Sequence, residues 1–454
     1  MIPDQENKSI SLEDYKALCE SQALKFKEMA LSVEDRVLQE FNKKYAIVRT
    51  STTYILVQKT EFSFELDSRK SFLHFHENDF FLSSEGKLKN KGVFWLKHPL
   101  RRTYENIVFD PARAGDYENS YNIFKGFSVA PFQGCCSLFW KHVKEVICAN
   151  NEVYYLYVRK WMACVVQYPA LLATALVLRG LQGTGKNVFV DYFGKVFGSY
   201  FLTVTNLEHV CGKFNSHLKY AYLIHANEAI WGGSKKEVGA IKALITDPVI
   251  IIEGKGKDAI PVSNCRHLIV SSNEDWAVPM DLDDRRFFVL DVSPHRKGDL
   301  QYFKLLKEEM TAGGLSALLY DLLHEDVVNF DPRHMPLNDY SFDIKMKSAG
   351  SIENYLYHTL KEGCFCVPFG RRSEWSNYSC EELYGHYRSW CKKESLRIEP
   401  SSEFGKKLKK LLSVQKYRPS IEGVREWWYE IPSLEECRTA FERFTRQTDH
   451  IWKG

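Results

Sequence analysis

Apolar and polar positions fall into blocks along this chain, and each block has its own period. Over residues 11–44, Leu12, Tyr15, Leu18, Leu24, Phe26, Met29, Leu31 and Val37 recur at helical spacing, which predicts a helical stretch. From Tyr45 the texture changes to strand-like alternation in YAIVRT and TTYILVQ, followed by a charged region around Asp67–Lys91 and the polar passage LSSEGKLKNKG. Within that region His74-Phe-His76 looks like a metal-binding doublet, but alternation on one face of a strand explains it more simply. Residues 97–126 mix aromatic and basic side chains and show no catalytic constellation. From about Ser137 helices lead towards the apolar run Leu171–Leu178, which predicts a buried strand. Gln167 and Pro169 interrupt the apolar stretch Trp161–Leu178, so no membrane span is expected there. Helical spacing returns over Leu300–Glu325, a proline-bearing connector covers Asn329–Leu337, and a last compact unit occupies about Ser351–Gly454.

The sharpest local signal follows the Leu171–Leu178 run. Gly180-Leu181-Gln182-Gly183-Thr184-Gly185-Lys186-Asn187 precedes an amphipathic stretch whose apolar face is Val188, Phe189, Tyr192, Phe193, Val196 and Phe197. Strand, glycine loop and helix in this order form the context of a phosphate-binding P-loop. Gly180, Gly183 and Gly185 let successive backbone N–H groups converge on a phosphate, Thr184 completes the loop, and Lys186 supplies positive charge beside the helix N-terminus. The bland alternative, a glycine turn with a chance lysine, does not account for the flanking strand and helix. Asn187 stands where Ser or Thr normally offers a hydroxyl to Mg²⁺; its amide oxygen is still a hard ligand, with a different reach.

Three further segments have the form that such a site requires. Tyr220–Ala226 is strand-like and ends in Asn227-Glu228, 42 residues after Lys186, which makes Glu228 the candidate for polarising water and, with Asn187, for holding the metal. Arg266–Asn273 is a second strand delivering an amide, Asn273, to its carboxyl end as a γ-phosphate sensor. Arg285 and Arg286 follow Asp283-Asp284; they are either a salt-bridged surface or an arginine finger for a neighbouring subunit, and the sequence does not say which arginine acts. Between the two strands lie Lys242 and a hairpin-like segment tipped by Lys255 and Lys257, which suits a moving contact with a phosphate chain or else is an exposed turn. In the tail, a basic helix with Lys406, Lys407, Lys409 and Lys410 precedes aromatic strand-like residues Tyr417 and Trp427-Trp428-Tyr429. That pattern fits helix-in-groove DNA binding with a wing, or a solvated charged face.

Composition narrows the class. The 454 residues are 44% hydrophobic and 26% charged, ordinary for a globular chain and long enough for two to four domains. A net charge of +3 restricts any nucleic-acid surface to local patches. The N-terminal segment lacks the basic-then-apolar order of a signal peptide, so an intracellular protein of host cytoplasm or nucleoid is expected, not secreted and not membrane-bound. Twelve scattered cysteines show no paired CxxC spacing, which argues for reduced thiols and against structural zinc.

Residues 180–187, 221–228, 242–258, 266–273 and 284–287 together resemble the A, B, B′, C and arginine-finger motifs of superfamily 3 helicases, compact AAA+-like ATPases of viruses, phages and plasmids. The chain is most similar to the helicase portion of phage and plasmid primase–helicases over roughly residues 90–454, with FWLKHPLRRTYENIVFDP leading in and a winged-helix-like tail. The resemblance implies an α/β fold: a mixed α+β accessory region at 1–136, an AAA+-like P-loop ATPase core with a parallel sheet at 137–330, and a winged-helix-like DNA-binding domain at 338–454. It implies ATP and Mg²⁺ as cofactors, a homo-hexameric ring, and movement on single-stranded and forked DNA during replication. Residues 1–90 offer no clustered aspartates of a primase, so a primase or polymerase partner is left open as fused or separate. Two other readings stand beside it. One is an origin-binding or loading protein of the same fold with slow hydrolysis, as the amides Asn187 and Asn227 suggest. The other is a small-molecule P-loop kinase, which leaves the lysine-tipped hairpin and basic tail unexplained.

Overall fold

The computed structural model describes residues 31–49, 53–60, 63–206, 208–212, 214–228, 235–255, 259–274, 278, 280–366, 372–373, 375–421, 424–447 and 449–452. The chain divides into two compact units, Met1–Gly126 and Phe127–Gly454.

In the first unit, α1 (Val33–Lys44) starts where the Ser32 hydroxyl accepts from the Asp35 N–H, and it buries Val37, Leu38 and Phe41. The helical pattern expected over 11–44 is seen from Val33; residues 11–30 lie outside the described residues. The strands β1 (Tyr45–Arg49), β2 (Thr53–Thr60) and β3 (Ser63–Asp67) form antiparallel pairs, and β4 (Thr103–Tyr104) adds to β1 in parallel, giving the order β3-β2-β1-β4. The histidine doublet is not on a strand. Ser68 accepts from the Ser71 N–H and starts α2 (Arg69–Phe75), so helical geometry separates the two rings. His76 is buried between Asp79 Oδ2 (3.2 Å) and Tyr45 OH (3.1 Å), whereas His74 is exposed. The aromatic and basic residues of 97–126 are used inside this unit. Asp116 gathers Arg102 Nη2 (2.8 Å), Lys125 Nζ (2.5 Å) and Tyr104 OH (2.7 Å), and the Lys125 ammonium lies 3.9 Å from the Tyr121 ring centroid.

The second unit begins with α3 (Ser137–His142), which runs into a π-helical turn at Val143–Ile147, and α4 (Glu152–Gln167). Its centre is a five-stranded, fully parallel sheet of β5 (Ala175–Arg179), β6 (Phe201–Val204), β7 (Leu223–Asn227), β8 (His267–Ser272) and β9 (Phe287–Asp291), in the order β9-β5-β8-β7-β6. Such strands read as nearly continuous apolar runs because both faces are covered, and all six residues of β8 are buried. The strand expected at Leu171–Leu178 starts four residues later. Pro169 lacks an N–H and Ala173 is left-handed at φ +58°, so pairing begins only at Ala175. From β5 the chain moves towards the β6 edge, but from β8 it crosses β5 to reach β9. The connections leaving the adjacent strands β5 and β8 diverge, and their carboxyl ends frame the crevice where α/β sheets bind ligands.

Beyond the sheet, the helical stretch expected over Leu300–Glu325 is two helices, α5 (Leu300–Glu309) and α6 (Leu315–His324), because Gly313 at φ +106° breaks the run. The tail has its own core, with α7 (Ser351–Glu362), α8 (Cys380–Lys393), α9 (Ser401–Leu412) and α10 (Leu434–Thr445) packing Tyr355, Leu356, Tyr387, Phe404, Leu408 and Phe441. An antiparallel three-stranded sheet is formed by Tyr378–Ser379, Trp428–Glu430 and Gln415–Tyr417. The helix Asp339–Ser348 joins the two cores, placing Ile344 in the sheet core and Phe342 in the tail core. No described helix is long and apolar enough to cross a membrane.

Four histidines are buried among the described residues of this unit; burial pushes His142 and His225 down to about 4 and His267 down to about 3, and it also lowers His386. The unfolded chain protonates the same rings near pH 6.5. Between those values the unfolded state binds more protons, so stability falls as pH falls, by up to about 1.4 kcal/mol per pH unit for each ring. Denaturant melts at about pH 7.5 and about pH 5.5 should show this loss, and His267→Phe should flatten it. Equal midpoints at the two pH values would contradict the burial of neutral rings.

Candidate functional site

Strand β5 ends at Arg179, whose guanidinium is fixed by Asp291 Oδ1 on β9 at 3.1 Å. The glycine loop follows at once. A Cβ at Gly180 would lie 3.0 Å from the Val292 carbonyl oxygen; one at Gly185, where φ is +98°, would lie 2.5 Å from His142 and 3.0 Å from Phe303. Thr184 is fully buried and donates to the Leu181 carbonyl at 2.9 Å, which closes the loop on itself. Lys186 then opens the helix Lys186–Lys195, the amphipathic helix read from the sequence.

Lys186 is 6% exposed. Its ammonium donates to the carbonyls of Gly180 and Leu181 and to Asn273 Oδ1 at 2.8 Å. Burial lowers its pKa, and the charge of Glu228 opposes that shift. Asn273 in turn donates from Nδ2 to Glu228 Oε1 at 2.9 Å. The residues named from three separate segments, Lys186, Asn273 and Glu228, thus form one hydrogen-bonded chain at the crevice. Glu228 is held in the left-handed region at φ +51°, with its N–H on the Ser271 carbonyl, a strained position of the kind that clusters at functional sites. Together with Gly183, Gly185 and Asn187 they line a cleft of about 310 Å³.

Sequence reasoning missed the wall behind the loop. His142 is buried with Nε2 3.1 Å from the Gly185 carbonyl and Nδ1 3.1 Å from Tyr302 OH. Because a carbonyl only accepts, the neutral ring donates from Nε2 and accepts the Tyr302 hydroxyl at Nδ1. Phe303, beside Tyr302 on α5, lines the cleft. These residues come from 43 positions before and more than 100 after the loop, and no local spacing marks them.

No group of three or more His, Cys, Asp or Glu side chains placed for a resident metal occurs among the described residues. A magnesium ion that arrives with phosphates needs only one or two protein oxygens. Asn187 and Glu228 line the cleft, and the buried Asn227 Oδ1 has no hydrogen-bond partner among the described residues, so the oxygens present fit that mode.

The arginines lie elsewhere. Arg286 is tied to the buried Asp284 by its N–H (2.9 Å) and by Nη1 (3.4 Å). Arg285 is exposed and makes no hydrogen bond or ion pair with any described residue. Phe287 pairs with Ala175, so both arginines precede the strand whose far end meets the glycine loop. Five residues of strand, about 17 Å, separate them from the cleft. Lys242, on the helix Lys235–Thr246, is held by Asp281 and by Asp284 (3.6 Å). The hairpin exists as Val249–Ile252 paired with Ile260–Ser263; Lys255 is exposed at its tip, and Lys257 lies outside the described residues. In the tail helix, Lys406 pairs with Glu403 (2.7 Å), Lys407 with Glu353 (2.5 Å), Lys410 lies over the Phe444 ring, and Lys409 is exposed.

A family of unknown function (DUF5906) matches residues 178–286, the stretch from the end of β5 to the arginines. The DNA primase-polymerase of Nitratiruptor phage NrS-1 is 29% identical over 134 residues, which is 29% of this chain and 19% of that protein; the match spans about a fifth of the relative's length. Two apo structures of the NrS-1 C-terminal region share the fold, each with a TM-score of 0.66 and 16% identity over 87% of this chain, covering 98% and 99% of the other.

The loop geometry makes a prediction independent of any ligand. Gly185→Ala adds a clash to a left-handed residue, whereas Gly183→Ala, at φ +79°, has no atom nearer than 3.9 Å. In chemical unfolding, Gly183→Ala should cost about 1 kcal/mol and Gly185→Ala distinctly more. Equal losses would show that His142 and Phe303 do not brace the loop.

Proposed function

We propose that this chain is an ATP-dependent DNA translocase of the superfamily 3 type, serving as a helicase in phage-type DNA replication. The observation that carries the reading is the Lys186–Asn273–Glu228 chain at the carboxyl ends of adjacent parallel strands. In this reading Gly180–Gly185 and Lys186 bind the β- and γ-phosphates, and the lysine exchanges its carbonyl contacts for phosphate oxygens. Glu228 orients the attacking water, and Asn273, bonded to both charged groups, registers the γ-phosphate. Asn187 and Glu228 would hold Mg²⁺, which offsets charge on the transferring phosphoryl group.

The position of Arg285 supports a composite site. It is too far from its own cleft and is free of partners among the described residues, which suits action on a neighbour's nucleotide in a homo-hexameric ring. Arg286, tied to Asp284, has a supporting role. Lys255 and Lys257 would grip single-stranded DNA in the channel. Of the tail lysines, Lys409 and Lys410 are best placed to meet DNA in a winged-helix-like domain, since Lys406 and Lys407 are ion-paired. The likeness to the NrS-1 primase-polymerase supports a place in replication alongside a primase or polymerase activity. An intracellular setting follows from that role.

ATP turnover with and without single-stranded DNA tests the proposal. Lys186→Ala should lower turnover by about a hundredfold or more, and Glu228→Gln should keep nucleotide while losing hydrolysis to a similar degree. Near wild-type turnover in either variant would sink the assigned role. The Lys255→Ala/Lys257→Ala double variant should keep basal ATPase, lose stimulation by DNA, and lower the salt slope of binding by about 0.7 per lost contact. Tight nucleotide binding with no DNA-stimulated turnover in the wild-type chain would instead favour the slowly hydrolysing loading protein that Asn187 and Asn227 suggest.

A further inference from the structure

A second, smaller cavity of about 60 Å³ lies at the opposite end of β9 from the P-loop. Four cationic side chains line it, Arg285, Arg333, Lys345 and Arg446, together with one carboxylate, Asp284. Asp283 and Asp284 both act on Lys345 through their charge, and two of the carboxylates nearby are paired with other cations. Asp284 takes Arg286 and Lys242, and the Asp331 carboxylate takes Arg333 through paired contacts of 2.8 and 3.2 Å. Three cations are left without a carboxylate partner among the described residues: Arg285, Lys345 and Arg446.

Lys345 is the unusual member. It is 3% exposed, and its one hydrogen bond to a described residue is to the Thr445 carbonyl at 2.9 Å, so two of its three N–H donors have no described acceptor. Burial pushes its ammonium down to about 8, because carbonyl contact alone does not replace water. A buried cation in this state is costly unless an anion completes its shell. Next to it, Arg446 sits at the left-handed C-cap of α10 (φ +55°) and is exposed, which puts its guanidinium at the rim. The cavity volume is about that of one tetrahedral oxyanion, since a single water needs only about 10–15 Å³ on the same measure. A whole nucleoside does not fit in that volume.

We infer that Arg285, Lys345 and Arg446 form a receptor for a single phosphate group, built jointly by the ATPase-like sheet and the tail. The group is either free inorganic phosphate or the terminal phosphate of a nucleotide presented by a neighbouring subunit. The second source rests on the ring reading above; the receptor itself does not. Arg285 supplies the flexible fork, Lys345 the buried point charge, and Arg446 closes the rim.

Equilibrium dialysis of the full chain with labelled inorganic phosphate is the test, done in the Lys186→Ala background so that the P-loop is disabled. One phosphate per chain should remain bound, and Arg446→Ala or Lys345→Met should weaken it by about tenfold. Arg446 is exposed, so its variant keeps the test valid if Lys345→Met unfolds. Loss of all phosphate binding with Lys186→Ala alone, or affinity unchanged by Arg446→Ala and Arg285→Ala, overturns the receptor. ATPase of Arg446→Ala then separates the sources. Reduced turnover with unchanged nucleotide affinity marks a neighbour's nucleotide, and unchanged turnover marks free phosphate. A wild-type chain that binds phosphate here yet hydrolyses no ATP would refute the translocase reading and leave the receptor standing.

Discussion

The buried ammonium of Lys186 is the constraint around which the second unit is organised. A lysine at 6% exposure needs hydrogen-bond acceptors, and three converge on it: two loop carbonyls and Asn273 Oδ1. Each acceptor comes at a structural cost elsewhere. The carbonyls point inward only because Gly180, Gly183 and Gly185 take positive φ, and the loop keeps that shape because Thr184 and His142 hold it from within and behind. Asn273 arrives only because β8 is paired directly to β5, which requires the crossover to β9. Asn273 also fixes Glu228, so the same contact that satisfies the lysine sets the carboxylate about one amide away from it.

How much of this the sequence discloses depends on how local the cause is. The glycine loop, its helix, and the strand ends carrying Glu228 and Asn273 were legible because strand, turn and helix signals sit within a few residues of each side chain. The start of β5 was misplaced because apolar content alone does not register the backbone restrictions at Pro169 and Ala173. The His74-Phe-His76 pair was assigned to a strand because a three-residue alternation fits either period, and the Ser68 cap decided for the helix. His142 and Phe303 were invisible for another reason. They reach the loop through tertiary packing across long stretches of chain, and such contacts leave no period in the sequence.

Charge behaved in the same way. A count of basic residues treats Lys242, Arg286, Lys406 and Lys407 as equal to Arg285, Lys255 and Lys409. The fold separates them by pairing: the first four have carboxylates within 4 Å, and no ion pair to a described residue is found for the other three. An exposed ion pair adds little stability, but it does remove a cation from the set free to meet a phosphate. The difference between Arg285 and Arg286 therefore traces to Asp284, which pairs with Arg286 and which the sequence showed only as an acid next to two arginines.

The helix Asp339–Ser348 links these observations. It is buried between two hydrophobic cores, with Ile344 on one side and Phe342 on the other, so the sheet and the tail cannot shift independently without exposing one of them. Lys345 on the same helix reaches the Thr445 carbonyl at the end of α10 and lines the cavity beside Arg285. A charge entering that cavity would act on the strand β9 through Arg285 and on the tail through Arg446. Since β9 pairs along its whole length with β5, at whose end the glycine loop begins, the cavity and the cleft lie at opposite ends of one strand pair. The tail and the loop that holds Lys186 are thus joined through packed elements, the helix Asp339–Ser348 and the β9–β5 pair.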